Sequence, residues 1–295
     1  MNVILIISDS FRWDNLYDEH GANVHTPNLD RLAQESTVFE NAYLASFPTV
    51  PHRHDVMTGR HTCTYAGWQP LPADAVTIQD VLGAAGVMTM CICDTPHLVG
   101  RGFNYVRGFQ GFDWIRGQEA DHYRTTPQDV KLPCAPEKLR EPDYIIRLYL
   151  RNISDRRTEA DHFVAQTMTR AAAWLEENRS KPFLLWVDTF DPHEPWDPPQ
   201  HYVDLYTPGC EGEEVFYPRY GPWEEFLTPA ELNHCRALYH GEVTLVDHWI
   251  GRLLDRMDAL GLREETAIIF TSDHGGLLGE HGFVGKSIIS NHGFE

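Results

Sequence analysis

Long apolar runs are missing from this 295-residue chain. Near its start only residues 3–7 are continuously apolar, with no basic segment before them, and no later stretch reaches the length of a membrane span. A secretory leader and a membrane-spanning helix are therefore not expected. Positive charge is also scarce: 24 Lys and Arg stand against 43 Asp and Glu, a net charge of −19. Such a surface repels phosphate backbones and anionic headgroups, which argues against nucleic acid and membrane partners. Cysteine is sparse, with six residues at 63, 91, 93, 134, 210 and 235 and no CxxC spacing. The expectation is a cytoplasmic protein with reduced thiols, in which Cys91 and Cys93 are core residues of a strand or, alternatively, zinc ligands.

What is present is enough apolar residue, 42%, for one large domain or two smaller ones. Residues 3–7 and 87–93 read as buried strands, as do 183–187 and 266–270, the last of the series. Helices are expected after Thr26-Pro27, from Thr77 to about Ala85 and over about 158–178, with a helix or helix pair from Thr228-Pro229 to about Leu260. Strands alternating with helices imply a single α/β domain over 1–295, a mostly parallel central sheet with helices on both faces. Residues 103–157, polar and aromatic with prolines at 127, 133, 136 and 142, read as an excursion over that sheet.

Ligands of such sheets gather beyond the carboxyl ends of the strands. Polar clusters stand at four of those ends: residues 8–10, 94–97, 188–193 and 272–274. Asp9, Asp273 and His274 offer two carboxylates and an imidazole to a divalent cation, although each singly also suits a cap, a turn or a surface position. If Pro51 opens a helix, Thr49 stands at its amino-terminal edge, where free amides favour an anion. Its hydroxyl beside a divalent cation would be an activated nucleophile. Arg53, four residues on, could grip the same anion, or be a plain surface cation while Thr49 serves as a cap.

Thr49-x-Pro51-x-Arg53 followed by Thr58-Gly59-Arg60 resembles the signature of the sulfatase family of the alkaline phosphatase superfamily. Asp9, residues 272–275, the segment 279–282 with Lys286, and the histidine-bearing loop 191–196 match further motifs of that family in order along the chain. The resemblance implies an alkaline-phosphatase-like α/β sandwich and a metal-dependent hydrolase of sulfate, phosphate or phosphonate esters working through a covalent intermediate. It implies that Asp9, Asp273 and His274 bind one metal ion, that Thr49 attacks, and that Arg53, His193 and Lys286 hold the anion or assist the leaving group. Thr95 and His97 correspond to a substrate-contacting segment. The partner implied is a small anionic ester, with a homo-oligomer compatible with all of this.

Three departures shape the expectation. Threonine at 49 replaces the cysteine or serine that sulfatases convert to formylglycine, so no formylglycine is expected and the reading tilts toward phosphate or phosphonate esters, as in the superfamily's phosphodiesterases and phosphonate monoester hydrolases. Ser10 replaces a second aspartate after the first strand, which leaves a softer site favouring manganese or zinc over calcium. The family's chains continue beyond the last lysine into a further strand and a small carboxyl-terminal subdomain, whereas this one stops at Glu295, so a shortened chain is expected. Alternatives of other kinds are a catalytically inactive anion-binding member of the fold, and a superfamily transferase or mutase. The aromatics Trp114, Tyr123, Tyr144, Tyr217 and Trp223 would either contact a leaving group or simply pack their loops.

Overall fold

A computed structural model of the chain describes residues 1–16, 23–125 and 130–286. Pro127 of the expected excursion and the carboxyl-terminal residues 291–295 lie outside the described residues.

Five strands, β1 (Asn2–Ser8), β2 (Met88–Cys93), β3 (Gly111–Trp114), β4 (Phe183–Thr189) and, after a two-residue strand β5 (Gly221–Pro222), β6 (Thr266–Ser272), build the architecture. The main sheet has the order β3-β2-β4-β1-β6 and every pairing in it is parallel. The helices are α1 (Pro27–Gln34), α2 (Thr49–Thr58), α3 (Ile78–Ala84), α4 (Pro96–Val99), α5 (Arg147–Asn152), α6 (Phe163–Asn178), α7 (Gln200–Val203) and α8 (Pro229–Ala259).

Strand β1 is apolar at successive positions because both faces of the sheet are covered. Ile4 and Ile6, with Ile92, Leu185 and Val187, enter a core shared with α1, α6 and α8. Leu5 and Ile7, with Cys91, Cys93 and Trp186, point the other way, into a core with Val50 and Met57 of α2 and Leu98 of α4. Cys91 and Cys93 are thus core residues. Among the described residues no helix is long and apolar enough to cross a membrane.

Local chemistry explains where the helices begin. Thr77 and Asp80 close a capping box at α3, as do Thr228 and Glu231 at α8. Thr26 does not cap α1 itself. Its hydroxyl donates to Asp30 Oδ1 at 3.0 Å, and the Asn28 and Leu29 amides donate instead to Asp247 of α8, at 3.1 and 2.8 Å. Helix α6 starts five residues later than expected. Thr158 and Asp161 close their capping box on one short 3₁₀ turn, and extended His162 separates it from Phe163.

Two further differences concern strands. Residues 111–114, inside the stretch read as an excursion, form β3 and extend the sheet beside β2. Strand β6 is not the last: β7 (Leu277–Leu278) and β8 (Phe283–Gly285) follow, and with β5 they form a small antiparallel sheet that leads into Lys286.

Candidate active site

Side chains from the carboxyl ends of β1 and β6 meet at a buried centre. One ligand atom each from Asp9, Asp273 and His274 lies within 4.8 Å of the other two, and all three residues are buried. His274 Nδ1 lies 3.1 Å from the Gly275 carbonyl, so it can carry the ring proton and leave Nε2 as a lone pair. Nε2 stands 3.8 Å from Asp9 Oδ1 and 3.6 Å from Asp273 Oδ2. Burial holds the His274 ring well below its usual basicity, in the neutral form a metal requires. Asp9 Oδ2 and His274 Nε2 are buried without a hydrogen-bond partner. A carboxylate oxygen and an imidazole nitrogen without hydrogen-bond partners, beside the Asp273 carboxylate, are ligand atoms that a divalent cation would satisfy, so this set fits one.

Charge in the centre is uneven. Burial first, and the neighbouring Asp273 second, push the Asp9 carboxyl well above the usual range. Burial would raise Asp273 too, but His274 and Arg53 bring it well below. Ser10, in the left-handed region at φ 61°, donates from its amide to Asp273 Oδ1 and from its hydroxyl to Asp9 Oδ1, both at 2.9 Å. It therefore orients both carboxylates from the position where a second aspartate was absent.

Arg53 binds this centre to helix α2. It is fully buried, forms a fork with Asp188 through Nε at 3.0 Å and Nη2 at 2.9 Å, and donates through Nη1 to Asp273. Burial opposes its charge, but Asp188, Asp273 and Asp9 together raise its basicity. Expected to grip an anion, Arg53 is here engaged by carboxylates. Thr95, expected at the substrate, is fully buried and donates its hydroxyl to Asp188 Oδ1 at 2.6 Å, away from the cavity described next.

A cavity of about 880 Å³ is lined by Thr49, His97, His193 and Lys286 together. Thr49 opens α2 and is 1% exposed. Phe47 lines the same cavity, and its ring lies 5.0 Å from that of His274, which places the metal-type centre beside it. His193 follows β4 in a loop held by the Ser8 hydroxyl on Asp191 O (2.7 Å) and by the Trp196 indole on Pro192 O (2.9 Å). The peptides preceding Pro192 and Pro195 on either side of it are cis, as is the one before Pro48. His193 stacks on Phe190 with ring centroids 4.0 Å apart.

Burial, outweighing the pull of Glu194, lowers His193 to about 4. The ring is neutral at pH 7, with Nδ1 on the Glu194 carbonyl at 2.6 Å and Nε2 accepting from Lys286 Nζ at 2.6 Å. Lys286 depends on its neighbour: Gly285 has φ 100°, and a Cβ there would stand 2.2 Å from the Tyr220 ring. His97 pairs with Glu119 at 2.9 Å. Burial would raise Glu119, but His97, His193 and the Tyr217 hydroxyl bring it below the usual carboxylate range.

Asp188 and Glu119 received no role from the sequence. An aspartate directly after the apolar run 183–187 is a signal for Asp188, since a buried carboxylate needs a partner. Glu119 carries no such signal, lying in a polar stretch among many acids.

The family model described as Sulfatase matches residues 1–294. An ulvan-active sulfatase of Formosa agariphila is 29% identical over 288 residues, covering 94% of this chain and 51% of that protein. An arylsulfatase of Clostridium perfringens is 27% identical over 335 residues, covering 97% of this chain and 65% of its own length. The chain thus spans between half and two thirds of these curated relatives. Among solved structures, the phosphonate monoester hydrolase of Agrobacterium radiobacter superposes with a TM-score of 0.74 at 21% identity, over 99% of this chain and 66% of that one.

Proposed function

Because the chain belongs to the sulfatase family, we propose that it is a metal-dependent hydrolase of phosphate or phosphonate esters, and secondarily of sulfate esters, acting through a covalent intermediate on Thr49. The observation that carries this reading is the buried Asp9–Asp273–His274 centre, in which Asp9 Oδ2 and His274 Nε2 have no hydrogen-bond partner, beside the cavity that Thr49 lines. Two carboxylates and one imidazole suit manganese or zinc, with calcium a weaker fit. A bound divalent cation would polarise an ester oxygen and favour the ionised form of a nearby hydroxyl.

The remaining work falls to the chain's own residues. Thr49 Oγ, its proton passing to solvent, forms a bond to phosphorus or sulfur as the bond to the ester oxygen breaks. The departing oxygen takes a proton from the Lys286–His193 pair, which already shares a hydrogen bond. Water then adds at the same atom, one of its protons restoring the Thr49 hydroxyl as that oxygen leaves, and the Lys286–His193 pair regains its proton from solvent. A threonine cannot form the hydrated aldehyde that would expel sulfate by collapse, which favours phosphorus esters.

The test strips the protein of metal, adds manganese, zinc or calcium, and follows hydrolysis of an aryl phosphodiester, a phosphonate monoester and an aryl sulfate. Turnover restored by a cation and lost in Thr49→Ala is expected. An unaltered rate in Thr49→Ala, or no turnover with any of the three cations, would overturn the reading.

A further inference from the structure

We propose that the cavity recognises a second anionic group on the leaving-group side of the substrate, through Arg101 and Arg140; this rests on the ester-hydrolase reading and names its substrate class. The chain carries a net charge of −19, yet four cations line this cavity: Arg101, Arg116, Arg140 and Lys286. Two are engaged. Arg116 forks onto Asp121 with two bonds of 2.8 Å, and Lys286 donates to His193.

Of the other two, Arg101 meets no carboxylate among the described residues, and Arg140 meets one only at longer range, Glu194. Among the described residues Arg101 meets His122 Nε2 at 3.3 Å and the hydroxyl and ring of Tyr144, none of them anionic. Arg140 lies 4.4 Å over the Tyr220 ring and pairs with Glu194 Oε1 at 3.6 Å, longer than a direct hydrogen bond, so its donors retain capacity for a further anion. Of the acids in the wall, Asp121 belongs to Arg116 and Glu119 to His97 and Tyr217, which leaves exposed Glu141 opposing the two arginines. The aromatic faces nearest the two arginines are those of Tyr144 and Tyr220, and Trp68, 45% exposed, lines the same cavity next to His97. Two guanidinium forks beside an aromatic face suit a ring that bears a carboxylate, sulfate or phosphate.

Two measurements test this. The first compares kcat/KM for the phenyl and 3-carboxyphenyl esters of the reacting group that turns over best. The second compares binding of 3-hydroxybenzoate and phenol to the metal-loaded protein, read by tryptophan fluorescence, and needs no chemistry. Wild type should favour the carboxylated member of each pair by about tenfold, as one charge-assisted hydrogen bond would give. That ratio should fall to about twofold or less in Arg101→Gln and in Arg140→Gln, and rise in Glu141→Gln. The ratio cancels any general loss of folded protein. No preference in wild type, or one that survives both arginine substitutions, overturns the proposal. Absent turnover with an arginine-dependent binding preference would instead leave it standing and remove the hydrolase reading.

Discussion

Replacing Asp188 by asparagine should cost the fold more than any surface charge in the molecule. Four donors converge on that carboxylate: Arg53 Nε and Nη2, the Thr95 hydroxyl at 2.6 Å and the Trp186 indole at 3.1 Å. Asparagine keeps one acceptor oxygen but turns an amide NH₂ toward the guanidinium, so at least one donor of fully buried Arg53 loses its partner. Breaking a buried ion pair from one side costs about 3–5 kcal/mol. Asp273 still neutralises Arg53, which favours the lower end. With an unfolding entropy of about 2.1 cal/mol/K per residue, 3 kcal/mol lowers Tm by roughly 5 °C. Calorimetry or circular dichroism at pH 7 measures it, with Asp113→Asn as the comparison. Asp113 pairs with Arg170, a side chain 51% exposed, and its loss should stay within about 0.5 kcal/mol. An Asp188→Asn protein melting within about 2 °C of wild type would refute the argument that this network is tightly satisfied.

Other expectations follow from the same geometry. His274→Ala should weaken manganese or zinc binding at least about tenfold by equilibrium dialysis, since Asp9 and Asp273 remain but the imidazole does not; unchanged affinity would place the metal elsewhere. His240 is held down to about 4, by burial first and Arg12 second, from an ordinary value of 6.5. The unfolded chain therefore takes up a proton near pH 6.5 that the folded ring refuses. The ring's contribution is complete above that pH and is lost as pH falls from 6.5 toward 4. Urea unfolding should accordingly show wild type losing up to roughly 3 kcal/mol relative to His240→Gln over that interval, and parallel pH profiles would contradict it.

Much of the scaffold could be read before folding because its signals are local. Residues 3–7 are apolar without alternation, which is what a strand covered on both faces needs, and Thr77 and Thr228 begin helices with chemistry confined to four residues. Asp9, Asp273 and His274 could be grouped because strand ends of a parallel sheet lie together. Contacts that depend on direction in space were not legible. Arg53 stands four residues from Thr49 on one helix, yet its guanidinium turns to Asp188, 135 positions away in sequence. Thr95 looks like a substrate contact from its place after β2 but turns inward to the same carboxylate. Strand β3 is four residues with one glycine and a half-exposed edge, too short to show a period.

The fork between Arg53 and Asp188 also bears on how members of such a family lose activity. A guanidinium set among three buried carboxylates offsets their mutual repulsion whether or not anything is hydrolysed. A chain in which the proposed nucleophile had been replaced would still hold the same carboxylates around this arginine. An arginine at this position is therefore accounted for by the interior alone, whereas the proposed turnover rests on Thr49.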